Sequence, residues 1–334
     1  MECRRYKLIV PTIPKDIRYL IYNVDVLYEY LPINSICVIG SDEIKPMLPN
    51  DKGIEFIKET DIVDFGAVKK YIINRTGKEE DGKRTGWYVQ QFIKMGYSRL
   101  CNDDYYLLWD SDTVPVKPVK MFDGSVPFFD CKKEYHKDYF DTIGKLLPGL
   151  KKCQEGSFIS EHMLINTTLM REMLDAIEEN GDIEGKSFEE KIINAVSVEA
   201  LPKSGFSEFE TFGTYVATKY PNAYKLRKWK SMRFGGFFFS RCNALTKDNL
   251  EWISRKYDAI SFEKGDTKSA FASMVSSAGF EEIFAPGSME ALAFIVRVFR
   301  KATRNVTIRS SQPSTSTREV PLRGERQSSK EEMP

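Results

Sequence analysis

Tyr105–Trp109 (YYLLW) carries no charged side chain, and Asp110-Ser111-Asp112 follows it without a spacer. Such a run has no polar face, so it reads as a strand buried on both sides in a sheet covered by helices. Pro115 and Pro118 keep its exit extended. The N-terminal stretch points the same way. Tyr6–Val10 is a short, mostly apolar run stopped by Pro11 and Pro14. Ile17, Leu20, Ile21, Val24, Leu27 and Tyr28 then recur at helical spacing, and Ser35–Gly40 (SICVIG) reads as a second buried strand. Strand, helix and strand of this kind predict an α/β fold with a mixed, mainly parallel sheet flanked by helices.

The 334 residues suffice for one large domain with a substantial core. A hydrophobic share of 42% and a charged share of 29% are those of a globular protein. The net charge of +1 gives no field that would favour nucleic acid as a partner. The six cysteines form no CxxC pair, which fits reduced thiols better than a disulfide framework. The start of the chain does not resemble a signal peptide, and no stretch approaches the roughly 20 apolar residues that span a bilayer. The expectation is a cytoplasmic location.

Further along, residues 74–86 read as a polar loop, with a helix from Trp87 to about Leu100. Val126–Asp130 is expected as a strand and 134–147 as a helix. Thr167–Glu179 is amphipathic and is expected to end in a left-handed cap at Asn180-Gly181. Ser207–Lys219 opens on a capping box, Ser207-x-x-Glu210. Phe234–Phe239 (FGGFFF) reads as a strand with close backbone approach at its glycines. Helices are expected over 246–256 and 267–278. Residues 286–305 form a basic amphipathic helix in this reading, and 306–334 a disordered tail.

Two carboxylates at the end of a buried strand need a physical reason. Side by side they repel and raise each other's pKa unless a cation is near. Hard dications such as Mg²⁺ and Mn²⁺ favour oxygen ligands and share them with substrate phosphates. The carboxyl end of a strand is also where open α/β sheets bind ligands. Asp-Ser-Asp as a plain turn is the competing structural reading. A haloacid-dehalogenase-type phosphatase is a second functional reading, with Asp110 as nucleophile and Asp112 as acid/base. It lacks a convincing further acidic pair downstream. A silent glycan-binding or membrane-scaffold protein is the third.

Gly86-Trp87-Tyr88-Val89-Gln90-Gln91-Phe92, LLWDSDTVPVKP at 107–118, Glu161-His162 and Ser207-Glu208-Phe209-Glu210 together resemble bacterial glycosyltransferase-like proteins of surface-polysaccharide gene clusters. The resemblance spans about residues 5–265 and implies a GT-A-like catalytic domain over 1–285. Residues 1–130 would be its nucleotide-sugar half and 131–285 its acceptor half. It implies a nucleotide-sugar donor, a uridine-diphosphate sugar first, with Mn²⁺ or Mg²⁺, and a glycan or glycolipid acceptor. By position, Asp112 would be the direct metal ligand, and Asp110 would reach the metal through water or hold the ribose. Pro11, Thr12, Arg84, Trp87, Gln90, Gln91 and Lys94 are the donor-site candidates. Glu161, Glu208 and Glu210 are the candidate catalytic carboxylates, and His162 is a candidate acceptor contact. The basic face around 289–304 suggests peripheral contact with an anionic membrane.

Overall fold

The computed structural model describes residues 4–262 other than 234, 240 and 241. At its centre lies a five-stranded sheet. Strands β1 (Tyr6–Pro11), β2 (Ile33–Gly40), β3 (Ile54–Lys58) and β4 (Tyr105–Trp109) run parallel. Their order is β3-β2-β1-β4, and the strand His162–Asn166 closes the sheet antiparallel to β4. The mixed, mainly parallel α/β architecture expected from the sequence is the one the chain builds.

The strands lack a polar face because both faces are covered. Ile9, Cys37, Ile39, Tyr106 and Leu108 belong to one buried cluster. Their chain neighbours Leu8, Val10, Ile36, Val38, Leu107 and Trp109 belong to the other. That is the two-residue alternation of a strand with apolar side chains at every position. The helix Ile17–Tyr30 covers the second face through Leu20, Val24 and Leu27. The first face is covered by Phe65–Thr76, Thr85–Gly96, Thr167–Glu179, Phe188–Ala195 and Glu208–Lys219.

Several local expectations are corrected. The polar stretch after residue 74 is not a loop throughout. The helix Phe65–Thr76 runs into it and ends at Gly77, whose φ of 70° is the left-handed conformation glycine tolerates. A 3₁₀ segment, Glu79–Arg84, then leads into the next helix, which spans Thr85–Gly96 rather than starting at Trp87. Asn180 ends its helix in extended geometry, φ −66° and ψ 103°, so the expected left-handed cap is absent. Gly235–Phe238 is a helical turn, not part of a strand. The close approach was legible there: a Cβ on Gly235 would lie 2.8 Å from Ile260. Strand β3 and the helix Phe188–Ala195 were not anticipated. The segments 267–278, 286–305 and 306–334 lie outside the described residues. No helix among the described residues is long and apolar enough to cross a membrane.

Gly213 shows how tightly the first face is packed. A Cβ there would fall 2.2 Å from Cγ of the fully buried Phe158. Helix propensity alone favours Gly213→Ala by about 1 kcal/mol. Overpacking a filled core costs about 1–3 kcal/mol or more, so the clash wins. Gly213→Ala is expected to lower the urea midpoint of unfolding, and an unchanged or raised midpoint contradicts this packing.

Candidate functional site

The carboxyl ends of the parallel strands share one edge of the sheet, where β1 ends in Pro11 and β4 in Trp109. The antiparallel register Trp109↔His162 sets Glu161 beside Asp110, whose N–H donates to the Glu161 carbonyl at 2.8 Å. The Asp110-Ser111-Asp112 turn is held from every side. The Trp109 indole donates to the Thr113 carbonyl at 2.8 Å, and the Thr113 N–H to the Asp110 carbonyl at 3.1 Å. The Phe262 N–H donates to the Asp112 carbonyl at 2.9 Å. Thr12, just past β1, donates from its hydroxyl to the Ser111 hydroxyl at 3.0 Å. This turn is anchored to three other segments, unlike a solvent-exposed reversal fixed only by its own residue preferences.

Asp110, Ser111 and Asp112 line one cleft of about 270 Å³. Asp16, Glu134 and Glu161 also line it, against only two cationic groups, Lys132 and Arg233. Lys132 ion-pairs with Glu161, and Arg233 meets Glu134 at 2.7 Å. Five acidic residues thus line the cleft against two basic ones, a balance that favours cations over anions.

Behind the lip, Lys94 lies between two acids, 2.8 Å from Asp110 and 2.9 Å from Glu208. Its side chain is 6% exposed, that of Glu208 7% and that of Asp110 30%. Burial pushes the Lys94 ammonium down, but Asp110 and Glu208 outweigh it and hold its pKa above the ordinary lysine value. At Asp110 burial pushes the carboxyl up. Lys94 opposes this, Glu208 and Glu161 reinforce it, and the net direction is upward. One lysine serves two carboxylates, so Asp110 is short of positive charge.

Glu161 and His162 were expected to face a substrate, and the structure gives them internal partners. Glu161 is buried and accepts from the Trp229 indole at 3.0 Å and from the Ser231 hydroxyl at 2.7 Å, besides Lys132. His162 is 1% exposed, its ring between those of Trp109 and Trp229, and its Nε2 is 2.8 Å from Asp130. Arg227 donates to both oxygens of Asp130, at 2.6 and 2.7 Å. His162, expected as an acceptor contact, is a buried strut that does not line the cleft.

This network has a pH signature. At Asp130 burial pushes the carboxyl up, but Arg227 and His162 outweigh it. At Glu161 burial is likewise outweighed by Lys132, so both pKa values lie below the ordinary range. The unfolded chain therefore binds protons that the folded chain refuses, and stability is lost as pH falls through and below about 4. The urea midpoint is expected to drop steeply on acidification from about pH 5 to pH 3, and less steeply in Asp130→Asn. Equal slopes in the two proteins would remove the network as the cause.

The remaining expected residues divide. Gln90 lines the cleft, and Thr12 touches its floor through Ser111. Pro11 is buried at the end of β1. Gln91 is buried and accepts from the Glu208 N–H at 3.2 Å, so it caps the helix Glu208–Lys219 instead of facing a ligand. Arg84 stacks on Trp87 at 4.2 Å and donates to the Ser204 hydroxyl at 3.2 Å; neither Arg84 nor Trp87 lines the cleft. Glu210 lies outside it as well. Its carboxylate accepts from the Ser157 hydroxyl and the Phe158 N–H, and burial pushes its pKa up. The capping box is thus half formed: Ser207 accepts from the Glu210 N–H, but the reciprocal arm is turned to Ser157. Asp16, Lys132, Glu134 and Arg233 were not singled out. They come from loops without a motif, and only Asp16 carried a signal, lying just beyond β1 at the start of a helix.

Among the described residues no three histidine, cysteine or acidic side chains are grouped to hold a metal by themselves. An all-oxygen pair in an electron-rich cleft suits a hard dication that keeps water and substrate phosphate as its other ligands. Asp112 and, shared with Lys94, Asp110 are the groups that fit it.

No curated protein matches the sequence. Among solved structures, mouse xyloside xylosyltransferase 1 aligns at 9% identity and TM-score 0.37, covering 79% of this chain and 99% of its own. The galactosyltransferase LgtC with donor and acceptor sugar analogs aligns at 11% and 0.37, over 77% and 86%. The bifunctional glycosyltransferase WbbM aligns at 14% and 0.38, over 83% of this chain and 50% of its own. Residues 41–273, more than half of the 334, match the family described as a family of unknown function (DUF6492), and the chain belongs to that family.

Proposed function

We propose that the chain is a GT-A-like glycosyltransferase that moves a sugar from a nucleotide-sugar donor to a glycan or glycolipid acceptor. The observation that carries this reading is the anchored Asp110-Ser111-Asp112 turn at the carboxyl edge of the sheet, in a cleft with an excess of carboxylates. Asp112 and Asp110 hold Mn²⁺ or Mg²⁺ in this reading, with a uridine-diphosphate sugar as the first donor to try. When bound, the ion supplies Lewis-acid neutralisation of the diphosphate as the sugar–phosphate bond breaks. Gln90 offers an amide to donor hydroxyls, and Thr12 fixes the turn. Glu161, paired with Lys132 and held by Trp229 and Ser231, sets the cleft wall, and its depressed pKa makes it a weak base. Work in the cytoplasm, in polysaccharide assembly, with membrane contact through 289–304, belongs to the same reading.

The test is release of nucleoside diphosphate from uridine- and guanosine-diphosphate sugars with Mn²⁺, Mg²⁺ or EDTA. Metal-dependent release supports the proposal. Absence of release from every donor, with a fluoroberyllate adduct forming on Asp110 as a mimic of an aspartyl phosphate, would move the assignment to a phosphatase.

A further inference from the structure

The cleft has a rim that the donor reading leaves without a task. Glu134 lines the cleft, and the next residue, Tyr135, is the most exposed large apolar side chain among the described residues, at 61%. Its ring stacks on that of Phe140, with centroids 5.7 Å apart and planes 17° from parallel. The Lys152 ammonium sits over both rings, 5.6 Å from one centroid and 5.2 Å from the other, and donates to the Gly156 carbonyl. A tyrosine that merely trailed into water would need neither a stacked partner nor a cation to fix it. Here the ring is held in a defined orientation with most of its surface open, one residue along the chain from Glu134 of the cleft lining. Ordering it in advance removes an entropy cost that a ligand would otherwise meet.

The segment that carries Tyr135 is fixed to the cleft walls. Glu134 pairs with Arg233, His136 lies 3.7 Å from Glu134, and the His136 ring meets that of Tyr139 at 4.7 Å. Tyr135 lies between the strand Val126–Cys131 and the helix Lys137–Leu146, next in the chain to Glu134 of the cleft lining. A rigid aromatic face with polar groups around it suits a flat ligand that has an apolar C–H face and hydroxyl edges. A pyranose ring is such a ligand.

We infer that Tyr135, backed by Phe140 and clamped by Lys152, is a saccharide platform that seats the acceptor at the mouth of the cleft. The inference rests on the transferase reading. It puts acceptor recognition on this rim, and not on the buried His162.

Saturation-transfer NMR tests it, with uridine diphosphate and Mg²⁺ present and a panel of lactose and the methyl glycosides of glucose, galactose and mannose. At least one saccharide is expected to receive saturation on its C–H face from the wild type and from Tyr135→Phe. Tyr135→Ala is expected to bind it about five- to tenfold more weakly, the scale of one lost aromatic contact. Saturation of no panel member, or equal saturation in Tyr135→Ala, overturns the platform. The nucleotide's own signals report on the other question. If neither uridine diphosphate nor, in its place, guanosine diphosphate gains saturation while the saccharide effect holds, the donor reading is sunk and the platform stands.

Discussion

Asp112→Asn is expected to abolish metal-dependent turnover, by about 10³-fold or more, while the fold survives. The substitution keeps the size of the side chain and removes its charge. Neutralising a leaving diphosphate is worth several kcal/mol, and each 1.36 kcal/mol is a factor of ten in rate. The turn does not rest on that charge alone. The Asp112 carbonyl receives Phe262, Trp109 donates to Thr113 and Thr12 to Ser111, while the Asp112 carboxylate accepts from the Thr113 hydroxyl at 3.4 Å, a bond that an amide oxygen can still accept. Stability is therefore expected to change by no more than about 1 kcal/mol, the scale of a weakened hydrogen bond. Release of nucleoside diphosphate, measured beside a thermal melt, separates the two effects. Undiminished release in a folded Asp112→Asn protein contradicts the role assigned to the pair.

Lys94→Met is expected to be among the most destabilising single changes in the described part of the chain. It preserves length and apolar stem but leaves Glu208 and Asp110 without their shared cation. Removing one partner of a buried ion pair costs about 3–5 kcal/mol. The lower end applies, because Asp110 is 30% exposed and can recover some hydration. A loss of about 3 kcal/mol corresponds to a fall in melting temperature of roughly 6–12 °C in a domain of this size. Adding Glu208→Gln removes one stranded charge and is expected to restore part of the loss. A double mutant no more stable than Lys94→Met would show that the stranded Glu208 charge is not the source of the loss.

Much of the sheet was legible because its strands have no polar side to hide. Tyr105–Trp109 and Ser35–Gly40 can only be central, and their alternate residues do enter opposite buried clusters. Strand β3 (IEFIK) escaped because it lies at the sheet edge, is half-buried and reads as ordinary polar alternation. The aspartate pair could be found because an abrupt change from apolar to acidic leaves a mark in one dimension. Lys94 was legible only as a helix residue near the motif. Its burial between two acids depends on the helix Glu208–Lys219 packing against Thr85–Gly96, a contact between positions 114 residues apart. Lys132, Glu134 and Arg233 meet the cleft through loop paths that no local pattern encodes. His162 misled for the opposite reason, since a rare residue next to an acid invites a chemical role, while its Trp109 and Trp229 neighbours that make it a strut lie far away in sequence.

The central claim is that a dication and a nucleoside diphosphate meet at Asp110 and Asp112. Calorimetric titration of uridine and guanosine diphosphates into the protein, with Mn²⁺ and then with EDTA, tests it most directly. The account predicts binding of at least one of them with metal, none after chelation, and none in Asp112→Asn with metal present. Binding that is indifferent to EDTA, or that persists unchanged in Asp112→Asn, would contradict it.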